Sequence, residues 1–233
     1  MNILLYGFKG YVGSQLFKVL KASGHNVEGV GRDNFNQVET KDHYDLVIHC
    51  ANSARRFYAN THPEEDKEAI FVTTSEIMNR HKSSNLLLIS SLSCRTEANT
   101  AYGRNRCHAE KSWIEKKGKV IRLGPMYGGG RDKDTLHDII NDEHVYYSKN
   151  TKYAYCNVEW ATEYIAAIIK DFQIMKQIQE IGASNTITLG AIAEAMESKS
   201  TFDNKNDDQF PLNFDKGPDA YLILGFAKKL KYG

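Results

Sequence analysis

The chain opens on a short apolar run, Ile3-Leu4-Leu5-Tyr6, that stops at Gly7, and the next apolar residues, Val12, Leu16, Val19 and Leu20, recur at helical spacing. This reads as strand, turn and helix, with Gly24 ending the helix. Asn26 to Val30 predicts a second strand and Tyr44 to His49 a third, which runs into the small residues Cys50, Ala51 and Asn52. Pro63 opens a helix that carries Ile70, Ile77 and Met78 on one face, and Asn85 to Ser90 reads as a buried strand. A helix over 102–117 and a strand from Lys119 to Leu123 complete the regular part. The strands are continuous apolar runs, the pattern of strands buried on both faces. Their alternation with helices predicts an α/β fold, a Rossmann-type doubly wound parallel sheet covered by helices.

Beyond Pro125 the pattern loosens. Gly128 to Gly130 marks a loop, Ala154 to Asn157 a strand, and Val158 to Lys170 a helix with Ala161, Ile165 and Ile168 on one face. Gln179 to Gly182 reads as a late strand and Thr188 to Met196 as a short helix that Thr188 can cap, while Ser198 to Asp219 is polar and irregular. The expected organisation is a regular α/β core over 1–125. A small C-terminal lobe over 126–233 interleaves with late core elements in one structural unit.

Composition narrows the function classes. Thirty basic residues stand against 29 acidic ones, so no electrostatic pull draws the chain to nucleic acid or an anionic membrane. No segment has the roughly 20 apolar residues of a membrane span, and the start of the chain lacks the pattern of a signal peptide. The four cysteines, Cys50, Cys94, Cys107 and Cys156, form no CxxC pair and are expected to be reduced thiols of a cytoplasmic protein. The eight histidines show no metal-ligand spacing, and no metal is expected.

Chemistry enters at Gly7-Phe8-Lys9-Gly10-Tyr11-Val12-Gly13, a GxxGxxG loop between the first strand and the first helix. Bare backbone there can approach a pyrophosphate, and the helix N-terminus favours its charge. NAD-binding sheets of this kind place an acid at the end of the second strand to hold the ribose hydroxyls. Here Gly31-Arg32 stands in that place, with Asp33 next, and an arginine can pair with a 2'-phosphate, so NADP is preferred over NAD.

Further landmarks follow in a characteristic order: Asp45-Leu-Val-Ile-His-Cys-Ala51, Leu87-Leu-Ile-Ser-Ser91, Tyr102-Gly-Arg-Asn-Arg106, Arg122-Leu-Gly-Pro-Met-Tyr-Gly128 and Ile181-Gly182 with Thr186-Ile-Thr-Leu189. Across nearly its whole length the chain resembles the extended short-chain dehydrogenases/reductases, the nucleotide-sugar epimerases, dehydratases and ketoreductases. The resemblance implies a catalytic Tyr102, a hydroxyl at Ser91 (with Ser93 in reserve) and Arg106 where the family has the lysine of YxxxK. A free phenol has a pKa near 10 and needs a neighbouring cation to act as a base; arginine keeps that charge but cannot relay a proton as lysine can. The cofactor contacts implied are Gly7 to Gly13, Arg32, Cys50, Ala51, Asn52, Ser90, Tyr102, Arg106, Leu123 and Pro125.

Two further departures stand out. Phe71 occupies the place of a family asparagine, and residues 31–43 leave little room for the usual extra βα unit before the third strand. The resemblance implies reduction of a keto group on a nucleotide-linked 4-keto-6-deoxy sugar, with the cofactor carrying hydride. Three other readings stay open: a nucleotide-sugar epimerase, a reductase of small carbonyl compounds, and a non-catalytic dinucleotide-binding sensor or assembly protein. A homodimer joined through the YxxxK helix is also implied, and Ala109, Trp113 and Ile114 on that helix serve either the core or the interface.

Overall fold

The apolar runs become the strands of one sheet. A computed structural model of the protein describes residues 1–38, 44–82 and 84–233. In chain order it has β1 (Asn2–Tyr6), α1 (Tyr11–Ala22), β2 (Asn26–Val30), β3 (Leu46–His49), α2 (Arg56–Thr61), α3 (Pro63–Arg80) and β4 (Asn85–Ser91). There follow α4 (Ser93–Thr96), α5 (Ala101–Glu115), β5 (Lys119–Leu123), β6 (Met126–Tyr127), α6 (Thr135–Ile140), β7 (Lys152–Tyr153) and β8 (Cys156–Asn157). The last elements are α7 (Val158–Ile168), β9 (Ile178–Ile181), β10 (Ile187–Thr188), α8 (Leu189–Ala195) and α9 (Leu222–Tyr232).

The main sheet has six strands in the order β2-β1-β3-β4-β5-β9. Its registered pairs, β2 with β1, β1 with β3, β3 with β4 and β4 with β5, are all parallel. Ile3 to Tyr6 are fully buried, as an inner strand requires. From β1 the chain crosses to β2 on one side and then to β3 on the other. The carboxyl ends of β1 and β3 therefore flank a topological switch point, where open α/β sheets bind their ligands. Among the described residues no strand lies beyond β2, which agrees with the short connection read from the sequence.

The chain divides into two compact units, one of residues 1–123 and 162–179, the other of residues 124–161 and 180–233. In the first, Trp113 is wholly buried in a cluster with Val47, Ile77 and Leu88, so this residue of α5 belongs to the core. In the second, Leu136, Ile139, Tyr153, Ile192 and Ile223 form the core, and the two-stranded pairs β7/β10 and β6/β8 lie beside it. Thr188 caps α8 as its sequence suggests, accepting the Ala191 amide at 3.1 Å. Residues 198–219 are irregular, yet Asp207 and Gln209 are buried: Asp207 accepts the Tyr153 hydroxyl at 2.7 Å and the Gln209 amide at 3.0 Å.

One expectation is corrected. Cys94 and Cys107 are joined in a disulfide, their Cα atoms 5.0 Å apart, rather than standing as free thiols. The short α4 turns back onto α5, so residues 13 apart in sequence become neighbours, which spacing alone does not disclose. Cys50 and Cys156 are free.

His49, at the end of β3, locks the sheet to two helices. Its Nδ1 accepts the Ala51 amide at 3.1 Å, its Nε2 meets the Thr74 hydroxyl of α3 at 3.3 Å, and its ring lies 5.5 Å from that of Trp113 on α5. Burial depresses its pKa to about 3. The unfolded chain, titrating this group near 6.5, binds the extra proton first. The stability tied to neutral His49 is therefore complete above about pH 6.5 and falls by about 1.4 kcal/mol per unit below it, until the folded state also protonates near 3. Between pH 7 and 5 this amounts to about 2 kcal/mol. Urea titrations at the two pH values should show that loss, and His49→Gln should remove its share, leaving the contributions of His25 and His81, which burial also depresses. An unchanged slope in the variant would show that His49 is not the group responsible.

Candidate functional site

The glycine loop is built around backbone contact. Gly7 takes φ +80°, and a Cβ there would lie 2.6 Å from the Cys50 carbonyl carbon and oxygen. A Cβ on Gly13 would lie 2.1 Å from the Gly7 carbonyl oxygen. These two absences let the first turn of α1 and the end of β3 close on the loop. Backbone bonds fix it further: Gly7 N–H to Val30 O at 2.8 Å, Gly10 N–H to Gly7 O at 2.9 Å, and Cys50 N–H to Tyr6 O at 2.9 Å. Gly10 is the N-cap of α1 and brings no side-chain acceptor, and the first turn holds no acidic residue. That end of the helix is suited to an anion.

Phe8 and Lys9 turn toward the end of β2. The Phe8 ring sits where a side chain at Gly29 would otherwise stand, within 2.6 Å of its Cβ position, and lies at contact distance from Gly31. Lys9 pairs with Asp33 and lies 5.7 Å from the centre of the Phe8 ring. The hydrogen bond from Lys9, and its charge, hold the Asp33 carboxyl below the usual range. Arg32 is exposed beside this pair. Two cations thus stand at the strand end where an adenosine ribose would be read. Across the switch point, the Asn52 Oδ1 is buried beside His49. The cradle at Gly7 and Gly13 and the open helix end together fit a dinucleotide.

The second half of the site comes from β4, α4 and α5. Ser91 closes β4 and exchanges contacts with Ser93, whose amide and hydroxyl lie 3.2 and 3.3 Å from its Oγ. Thr100 caps α5 through the Gly103 amide at 3.1 Å, and Asn60 of α2 accepts the Tyr102 amide at 3.0 Å. The Tyr102 side chain is largely buried and its ring carries the Arg106 guanidinium, 3.5 Å above the ring centre.

Arg106 is itself enclosed. Asp66 of α3 takes its Nη1 at 2.8 Å and its Nη2 at 3.4 Å, the Tyr102 carbonyl accepts Nη1 at 3.1 Å, and the Ser53 carbonyl accepts Nη2. The two side chains of this pair are 3% and 2% exposed, so the charges are withdrawn from water together. The Ser90 hydroxyl donates to Glu110 at 2.6 Å, and the same carboxylate holds Arg122 through Nε and Nη2, the latter at 2.6 Å. Leu123 is buried and its carbonyl accepts the Leu92 amide at 3.0 Å. Pro125 lies in the second unit, where its carbonyl accepts the Cys156 amide at 3.1 Å.

Four residues of this arrangement escaped the sequence reading. Asp66 stands in an acidic first turn, Glu64-Glu65-Asp66, that looks like a response to the helix dipole alone. Glu110, Asn60 and the Glu97 partner of Arg56 are polar residues on amphipathic segments with nothing in their spacing to single them out.

Gly13→Ala should force the α1 turn off the Gly7 carbonyl, lowering stability by about 1–3 kcal/mol in a urea titration and abolishing binding of a dinucleotide. A variant of full stability would show that the close approach is not a constraint.

The chain matches no protein-family model and no curated protein. Solved structures do match it. A dTDP-4-dehydrorhamnose reductase from Yersinia enterocolitica superposes with TM-score 0.78 at 17% identity, covering 99% of each chain. MoeE5 in complex with UDP-glucose and NAD gives 0.75 at 16% identity, over 97% of this chain and 92% of that one. A UDP-galactose 4-epimerase gives 0.72 at 17% identity, over 99% and 98%. At such identities the likeness is one of fold: this protein is an α/β chain with a Rossmann-type fold like that of these structures.

Proposed function

We propose that the protein is an NAD(P)-dependent oxidoreductase that reduces the keto group of a nucleotide-linked sugar, of the 4-keto-6-deoxy class. The observation that carries this reading is one of placement. The glycine cradle and Asn52 stand at the switch point between β1 and β3, while Ser91 and Tyr102 stand at the end of β4 and the start of α5 in the same unit. A fold shared with a dTDP-4-dehydrorhamnose reductase supports the substrate class.

In this reading the backbone of residues 7–13 holds the pyrophosphate, and Lys9 and Arg32 favour the 2'-phosphate of NADP over NAD. Cys50, Ala51 and Asn52 line the path of the cofactor on the β3 side, with Ser90 and Leu123 among its contacts. Bound NADPH supplies the hydride. The Tyr102 phenol donates a proton to the substrate oxygen as negative charge develops on it, and the Ser91 hydroxyl hydrogen-bonds the same oxygen. Arg106 keeps a cation against the tyrosine ring.

One observation favours a second reading. Both terminal nitrogens of Arg106 are bonded within the protein, which suits a dinucleotide-binding protein that has given up turnover. A homodimer joined through α3 and α5 belongs to the proposal. Phe71, 63% exposed on α3, borders a shallow crevice with His108 and Ser112 of α5. A cytoplasmic setting is proposed on the resemblance alone. No helix among the described residues is long and apolar enough to cross a membrane.

The test is NADPH oxidation with a panel of 4-keto-6-deoxy nucleotide sugars. Turnover is expected in the wild type, and Tyr102→Phe should lose roughly a hundredfold or more with NADPH affinity preserved. Binding without turnover across the panel would favour the second reading. Turnover that survives Tyr102→Phe would remove the tyrosine from the mechanism.

A further inference from the structure

We propose that Asp66 is a positioning residue for the catalytic tyrosine, acting through Arg106. The inference rests on the reading of Tyr102 as the proton donor. An arginine at this place is longer than a lysine and carries a planar guanidinium, which needs a planar acceptor and a flat surface to be held in one orientation. The structure provides both. The carboxylate of Asp66 meets the guanidinium edge at 2.8 and 3.4 Å, and the face of the Tyr102 ring lies 3.5 Å from the guanidinium carbon.

The carboxylate is itself fixed. Its Oδ2 also accepts the Asn105 amide at 2.9 Å, and that amide reaches the Pro63 carbonyl at 3.1 Å. Asp66 thereby ties the first turn of α3 to α5 at residues 105 and 106. Nη1 and Nη2 of Arg106 also reach the carbonyls of Tyr102 and Ser53. One side chain therefore spans the helix that carries the tyrosine and the loop that follows β3. With Asp66 in place, the guanidinium forms a fixed platform under Tyr102. Without its charge, the acceptors of Arg106 among the described residues are neutral carbonyls that do not balance the buried cation, and the platform is free to leave the ring.

The closing experiment compares wild type, Asp66→Asn and Asp66→Glu in two readouts. The first is the ring resonance of Tyr102 in protein labelled at the tyrosine Cζ, identified by its disappearance in Tyr102→Phe; it needs neither cofactor nor substrate. The second is single-turnover hydride transfer from bound NADPH to the keto-sugar, alongside the Kd for NADPH. In Asp66→Asn the resonance should move and transfer should fall roughly tenfold or more, while NADPH affinity stays within about threefold, because the glycine cradle is untouched. Asp66→Glu, which keeps the carboxylate, should recover part of the rate. If Asp66→Asn does not fold, Asn105→Ala, which frees the Asp66 carboxylate from its anchor while keeping both buried charges and Arg106, takes its place in the comparison, with the same shift and loss of transfer expected in smaller measure.

A Tyr102 resonance that does not move overturns the inference, as does a resonance that moves with transfer unchanged. A loss of transfer matched by an equal loss of NADPH affinity also overturns it, since the effect would then lie in binding. A wild type that transfers no hydride to any keto-sugar, but whose Tyr102 resonance moves in Asp66→Asn, upholds the positioning role and sinks the proposed reaction instead.

Discussion

Three backbone segments of the first unit meet at Gly7, and this close approach is the constraint on which the site depends. The carbonyl of Gly7 lies where a Cβ on Gly13 would stand, and the Cys50 carbonyl lies where a Cβ on Gly7 would stand. Strand β1, helix α1 and the end of β3 can come this near only because two side chains are missing. The approach leaves the amide end of α1, uncapped by any side chain, facing the switch point. Fold and anion-binding geometry thus have one cause. His49 extends the same constraint into the core, since it fixes the residues after β3 against Thr74 and Trp113 and stays neutral because it is buried.

A second principle governs the half of the site around α5. Among the described residues, three ion pairs lie on or beside this helix: Asp66 with Arg106, Glu110 with Arg122, and Glu97 with the partly exposed Arg56. A buried charge that loses its partner typically costs about 3–5 kcal/mol, so each pair restricts how the elements it joins can sit. Asp66 joins α3 to α5; Glu110 joins α5 to β4 and β5; Glu97 holds the segment before α5 to α2. The helix that carries Tyr102 is thereby braced on three sides.

The sheet was legible because its strands are unbroken apolar runs. Asn26–Val30 and Lys119–Leu123 appear with the bounds read from the sequence, and the GxxGxxG loop falls between β1 and α1 as its glycines require. The late part of the chain was harder. Apart from β9, its strands are two residues long, too short for any periodicity, and α9 buries Ile223 and Ala227 beside exposed leucines and lysines. The candidate site was legible only where one residue type announces itself. Glycines, a tyrosine and serines at strand ends do so. A carboxylate such as Asp66 does not, because its meaning comes from Arg106, forty positions away, and only the packing of α3 on α5 brings the two together. The Cys94–Cys107 bond was hidden for the same reason, by a turn between two helices that no spacing rule describes.

The central claim is that the glycine loop at the end of β1 is a dinucleotide site, and calorimetric titration of the purified chain with NADPH and NADH tests it most directly. The account predicts saturable binding of one dinucleotide per chain, tighter for NADPH, with the preference reduced when Arg32 and Lys9 are replaced by alanine. Absence of binding by either dinucleotide to the folded protein would contradict it.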